Sequence, residues 1–482
     1  MENKRWIDSF EGYVEKVINK YELPGAAIGF ARDGVPLYEK GFGYRDVEKQ
    51  LGVTSDTVFG IASVTKSFTC VAIMQLQEQG RLSVHDPIVK YLPEFQTPDK
   101  TRIPQITVHH LMTHTSGLPP LSSLVFAMKR SMESDTSVGD YPGLKWDKEK
   151  EEPIDTYEEL MEFIANSEFE LLGKPGTEFS YSNDGYALLG AIIERVSGKS
   201  YEMYIKEQIL QPAGMDNSTF DLDDLEGYHD ITNLYATKNE DGKKEVYAAP
   251  IWWDAPSMRA AGFLKSTVRD MLKYAGIFQN AGVVGKARIL SVESVKQMTE
   301  PYVECEPGRY YGYGLMITPD FHGVKLVEHG GSLKAISSQL VMVPEKGLSG
   351  IILTNLAGVP AYKLALSALN CIQGLPVDST HNTFKDYEIA EKHLPQYTGQ
   401  YTTNEGAQIV IGLEEGKLTF TTLDESYPIR AVGESLFVVD LKDSEAPLRM
   451  LYDDEGEVKG ITFGFRQLLK VKEEKVKEEV TK

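Results

Sequence analysis

Strand-like runs stand near both ends of the first 372 residues, and a long stretch of helical periodicity separates them. Such a chain buries its strands by bringing the two ends together, so one sheet from distant segments is expected, with the helical middle inserted into it. Trp6, Phe10, Tyr13, Val14, Val17 and Ile18 recur at helical spacing and predict an opening amphipathic helix. Runs at 26–31 and 35–43 flank Asp33-Gly34, a hairpin signal. From about 86 to 300 there is little strand character, and helices are expected near 157–166, 185–196, 201–210 and 266–280. Residues 128–153 are polar and weakly periodic, and read as a mobile surface insertion. Strand character returns at 313–318, 324–329, 339–343 and 350–355, before a helix at 361–371.

These segments make a first domain of residues 1–373. A Pro/Gly/Ser-containing linker follows at 374–384. Beyond it, short alternating runs at 409–413, 418–422, 436–441, 448–453 and 458–465 predict a small antiparallel barrel or half-barrel over 385–471. Residues 472–482 alternate Lys and Glu and read as a frayed or disordered tail. The fold class expected is α/β plus all-β.

A length of 482 residues fits two or three domains. The net charge of −21 repels nucleic acid and anionic membrane, which excludes both as partners. Cys70, Cys305 and Cys371 are widely spaced and read as thiols without a disulfide framework. No run is apolar and long enough to cross a bilayer, and the first residues lack the pattern of a signal peptide, so a cytoplasmic location is expected.

Ser63 and Lys66 form the one Ser-x-x-Lys in the chain, at the start of an apolar run ending near Gly80. At i, i+3 spacing the amine can reach the hydroxyl, as a serine nucleophile with an amine base requires. The bland alternative is a serine N-cap followed by a solvated lysine. Two further motifs shift the balance: Tyr181-x-Asn183, and Val327-Glu-His-Gly-Gly-Ser332 on an expected strand.

In this order the three motifs resemble those of the serine β-lactamase and penicillin-binding-protein superfamily. Residues 106–118, Gly173-Lys-Pro-Gly176 and 259–267 are similar to its class C-like branch, over about residues 5–372. The resemblance implies an α/β domain joined to a helical domain, with the active site between them. It makes Ser63 the acylated nucleophile, Lys66 its base and Tyr181 a proton relay. Asn183 would position Lys66 and the substrate carbonyl, and His329 would stand at a strand edge toward the tyrosines or the substrate. An acyl-enzyme also needs two backbone N–H groups at the oxyanion. Ser63 would offer one and Ser332 the other, with Gly330 and Gly331 permitting close approach.

His329 stands where many β-lactam-handling members carry lysine, and a glycine replaces the Thr or Ser that follows. This weakens a β-lactamase or carboxypeptidase assignment. The His-x-Gly pattern looks like D-aminopeptidases and CubicO-type peptidases, some with lipocalin-like C-terminal barrels. The reading is a serine hydrolase of small amides or short peptides, including D-amino-acid peptides, with no cofactor. A carboxylesterase is the alternative, and a catalytically idle scaffold is the alternative of another class. The barrel has three candidate uses: roofing the cleft, homo-oligomer contacts and ligand binding. Met215, Trp252, Trp253 and Tyr313 are candidate cleft-lining residues, although core packing is the simpler reading. His109, His110 and His114 cluster in sequence but lack metal-ligand spacing, so no metal is expected.

Overall fold

The computed structural model describes residues 2–101, 103–141, 152–240, 243–423, 425–441 and 444–471. The chain divides into two compact units, Met1–Leu118 with Ser123–His381, and Asn382–Lys482 with Pro119–Ser122. The tail 472–482 and residues 142–151 of the expected surface insertion lie outside the described residues.

The larger unit is built on a nine-stranded antiparallel sheet drawn from both ends of that unit. In spatial order its strands are Val303–Glu306, Arg309–Tyr311, Met316–Phe321, Val324–Leu333, Ile336–Val343, Leu348–Thr354, Gly25–Arg32, Val35–Asp46 and Leu51–Gly52. The central strands Ile336–Val343 and Leu348–Thr354 are buried along their whole length, as strands covered on both faces must be. Asp33 and Gly34 both take positive φ, as a two-residue hairpin turn of the primed type requires.

Side-chain alternation separates the two helical layers. Ile28 and Phe30 join a core with Phe10, Val14 and Val17 of helix Glu2–Tyr21 and Leu364, Ala368 and Leu369 of helix Ala361–Ile372. Each of the larger side chains here, Ala368 apart, contributes about 1.5–3 kcal/mol on burial. Gly29, between them, faces the other layer: a Cβ there would lie 2.2 Å from Val268 Cγ1 on helix Val268–Gln279. Glycine thus lets that helix seat directly on the sheet.

The helical middle also carries features that periodicity does not show. A hairpin, Tyr235–Glu240 with Lys243–Ala248, interrupts it. The described part of the expected mobile insertion is ordered instead, with a helix Lys129–Glu133, a turn Val138–Asp140 and buried Met132 and Asp135.

The smaller unit is a closed eight-stranded antiparallel barrel from Gly399–Thr402 to Arg466–Lys470. Tyr401, Ile411, Phe420, Phe437, Val439, Leu448 and Ile461 are among the side chains of its packed core.

Candidate active site

Ser63 lies in a 3-10 turn, Ala62–Val64, that feeds helix Thr65–Glu78. It is not the helix cap; Val64 holds that position, with no side-chain cap. Ala62 takes φ +45°, a left-handed conformation that costs a non-glycine residue on the order of 1–2 kcal/mol. Surrounding bonds fix it there. Thr65 Oγ1 donates to Ala62 O at 2.7 Å and accepts from Leu264 N at 3.3 Å, while Ile61 N donates to Leu264 O at 2.9 Å.

Lys66 is fully buried, and its Nζ reaches Ser63 Oγ at 3.2 Å, Asn183 Oδ1 at 2.8 Å and Ala261 O at 2.6 Å. One turn along the helix, Thr69 Oγ1 donates to Ala260 O at 2.7 Å, so two successive carbonyls of one strap are tied to one helix face. Gly314 lets a neighbouring loop close on this helix, since a Cβ there would sit 2.7 Å from Lys66 O.

Asn183 opens helix Asn183–Ser197, whose N-cap Ser182 accepts from Gly185 N at 3.2 Å. The preceding Tyr181 is buried, with its ring centroid 4.8 Å from Lys66 Nζ. His114 packs on the Tyr181 ring at 4.2 Å between centroids and accepts at Nδ1 from Ser182 N at 3.1 Å. The histidine cluster is thus divided among separate tasks. His109 Nδ1 meets Tyr313 Oη at 2.7 Å, and His110 closes a capping box with Thr107.

Gly331 and Ser338 stitch the third motif to the serine turn. These residues pair across adjacent strands, and Ser338 Oγ donates to Ile61 O at 2.8 Å. A Cβ on Gly331 would lie 2.2 Å from Ile61 O. Only glycine allows this approach, so the strand lies against the backbone just before Ser63. Ser332 is exposed at the strand's end. The strand carrying His329 lies inside the sheet, and the side chain is buried. Its Nδ1–H donates to Gly330 O at 2.6 Å, and Nε2 accepts from Tyr311 Oη at 3.0 Å. Burial holds the imidazole pKa down at about 3, so the ring is neutral.

Of the residues singled out from sequence, Ser63, Lys66, Asn183 and Tyr181 converge on one amine, and Gly331 abuts the serine turn. Met215, Trp253 and Tyr313 are buried, as core packing implies, whereas Trp252 is half-buried. Sequence reasoning missed the Ala261 carbonyl, because a backbone oxygen leaves no residue-type signature. It also missed the roles of His114 and Tyr311.

The beta-lactamase family matches residues 10–369. The chain belongs to that family. Among its relatives, Protein flp of Staphylococcus aureus (strain MW2) is 28% identical over 80% of this chain and 69% of its own length. Penicillin-binding protein 4* of Bacillus subtilis (strain 168) is 24% identical over 93% of this chain and 96% of its own. A solved structure, the octameric penicillin-binding protein homologue from Pyrococcus abyssi, is 31% identical with a TM-score of 0.68, covering 96% of this chain and 100% of that one. This family is consistent with serine hydrolase chemistry. Among the described residues no helix is long and apolar enough to cross a membrane.

Proposed function

We propose that the protein is a serine hydrolase that acylates Ser63. The carrying observation is the set of three oxygens around Lys66 Nζ. A neutral amine has two hydrogens and one lone pair. Asn183 Oδ1 and Ala261 O accept the two hydrogens, and the lone pair is then directed at the Ser63 hydroxyl. Lys66 takes the hydroxyl proton as Oγ attacks the carbonyl, and Tyr181, stacked beside the amine, passes a proton to the leaving group. The backbone N–H groups of Ser63 and Ser332 serve the oxyanion. Water then attacks the ester and releases the acid.

The substrates in this reading are small amides and short peptides, including those with D-amino acids. The neutral His329 supports it, because no permanent cation stands at the first position of the third motif to meet a substrate carboxylate. Esters form the same acyl-enzyme, so esterase activity accompanies the reading. Homo-oligomerisation is part of the proposal, supported by the octameric Pyrococcus relative and testable by light scattering.

Intact mass after treatment with a fluorophosphonate or a fluorescent penicillin tests the proposal. A single adduct that disappears in Ser63→Ala is expected. A folded wild-type protein that takes up neither reagent is instead a non-catalytic scaffold. Paired D- and L-aminoacyl p-nitroanilides, with p-nitrophenyl esters and nitrocefin, then assign the substrate.

A further inference from the structure

A buried charge pair lies just past the third motif, outside the machinery described above. Lys334 occupies the two-residue turn between strands Val324–Leu333 and Ile336–Val343, yet only 2% of its surface is exposed. Its ammonium meets the Asp135 carboxylate, donates to Ile251 O at 2.9 Å, and lies 5.5 Å from the Trp253 ring centroid. Asp135 has further donors: Trp253 Nε1 at 2.7 Å on Oδ2, and Ser137 N and Oγ at 2.9 and 2.7 Å on Oδ1. Ser131 Oγ adds a bond to the Asp254 carbonyl at 3.1 Å.

These bonds anchor one end of the segment 251–261. At the other end Arg259 binds Asp254 at 2.6 Å, and Ala261 O accepts from Lys66. Trp253 turns inward to the pair. Trp252 packs over Gly60, three residues before Ser63: its Cζ3 lies 3.3 Å from where a Gly60 Cβ would be. Ile336 closes on the same point, its Cδ1 2.2 Å away.

We propose that the Lys334–Asp135 pair sets substrate specificity, fixing Trp252 as an apolar wall beside the serine turn and keeping the cation after the third motif from substrate carboxylates. This rests on the hydrolase reading and narrows it. The preferred acyl group is uncharged and apolar or aromatic. Lys334 and Asp135 are positioning residues, and Trp252 is the surface the substrate meets.

The test compares p-nitrophenyl phenylacetate with p-nitrophenyl hydrogen succinate, with rates normalised to Ser63 labelled by a fluorophosphonate. The wild type should favour the phenylacetyl ester by about tenfold or more in kcat/KM, the range an apolar pocket supplies. Trp252→Ala should raise KM for that ester about tenfold with kcat nearly constant. Asp135→Asn releases the Lys334 charge and should improve relative use of the succinate ester about tenfold. The double variant Asp135→Asn, Lys334→Met has no charge to release, so it should raise KM for phenylacetate without gaining succinate activity.

Unchanged ratios in folded Asp135→Asn, or unchanged KM in Trp252→Ala, overturn the inference. If Asp135→Asn does not fold, the double variant decides, and an unchanged phenylacetate KM there counts against it. A wild type that does not label at Ser63 removes the hydrolase reading and this inference together. Labelling with unmoved ratios removes this inference alone.

Discussion

Lys66 and Lys334 are both buried lysines in the larger unit, and their surroundings differ in kind. Neutral oxygens of Asn183 and Ala261 accept from Lys66, with the neutral Ser63 hydroxyl 3.2 Å away. A carboxylate, with one backbone carbonyl, receives those of Lys334. Neutral acceptors allow an amine to give up a proton and stay hydrogen-bonded, whereas a carboxylate favours the ammonium. At Asp135, burial pushes the carboxyl up, but the hydrogen bonds from Lys334 and Ser137 outweigh it and hold it below its usual value. The same residue type thus sits among neutral acceptors in one place and in an ion pair in the other.

The sharpest way to break this contrast is to remove each amine. Lys66→Met and Ser63→Ala should each lower the acylation rate by roughly 10³-fold or more, about 4 kcal/mol of transition-state stabilisation. Stopped-flow labelling and intact mass measure this, and a Lys66→Met protein that still acylates rapidly would assign the base elsewhere. Lys334→Met should act on stability instead. Leaving Asp135 buried and unpaired should cost about 3 kcal/mol in urea unfolding, with the folded fraction still able to acylate. The double variant should recover much of that loss.

A smaller effect concerns His329, which burial keeps neutral. Its folded-state pKa lies below the ordinary 6.5, so the unfolded chain binds the proton more tightly. The associated stability is complete above about pH 6.5 and is lost as pH falls toward 3, at about 1.4 kcal/mol per unit. Between pH 6.5 and 5 the loss from this group is about 2 kcal/mol. His329→Asn should therefore show a shallower acid dependence than the wild type in parallel urea titrations, and equal slopes would contradict the assignment. The smallest effect should come from removing residues 385–482. Acylation of Ser63 should persist, with changes confined to substrate size preference or to mass by light scattering.

Much of this architecture was legible because it is written in periodicity and residue type. The helix Tyr157–Asn166 falls where helical spacing predicts it, and the two-ended sheet follows from the order of the runs. The strands Val303–Glu306 and Arg309–Tyr311 were not foreseen: they are short and rich in charge, with Pro307-Gly308 as their only clear turn signal. Barrel strands such as Glu425–Ala431 were hidden for a related reason, since their outward positions are polar and only one residue of that strand is fully buried.

At the site, the side chains carrying reactive groups were legible as motifs, whereas their supports were not. Ala261 acts through its carbonyl, and a methyl side chain gives no hint of that. Asp135 and Lys334 stand 199 positions apart, and the polar sequence around Asp135 resembles a solvated loop until its partner arrives in space. The bond between His329 and Tyr311 was not legible, because which side chain reaches the ring depends on neighbours brought together only in space.

The bond from Ser338 to the Ile61 carbonyl, with bare Gly331 beside it, joins the turn that carries Ser63 to the middle of the large sheet. The two are therefore expected to loosen together on heating. Loss of Ser63 labelling on warming should therefore track the melting of the larger unit, followed by near-ultraviolet circular dichroism.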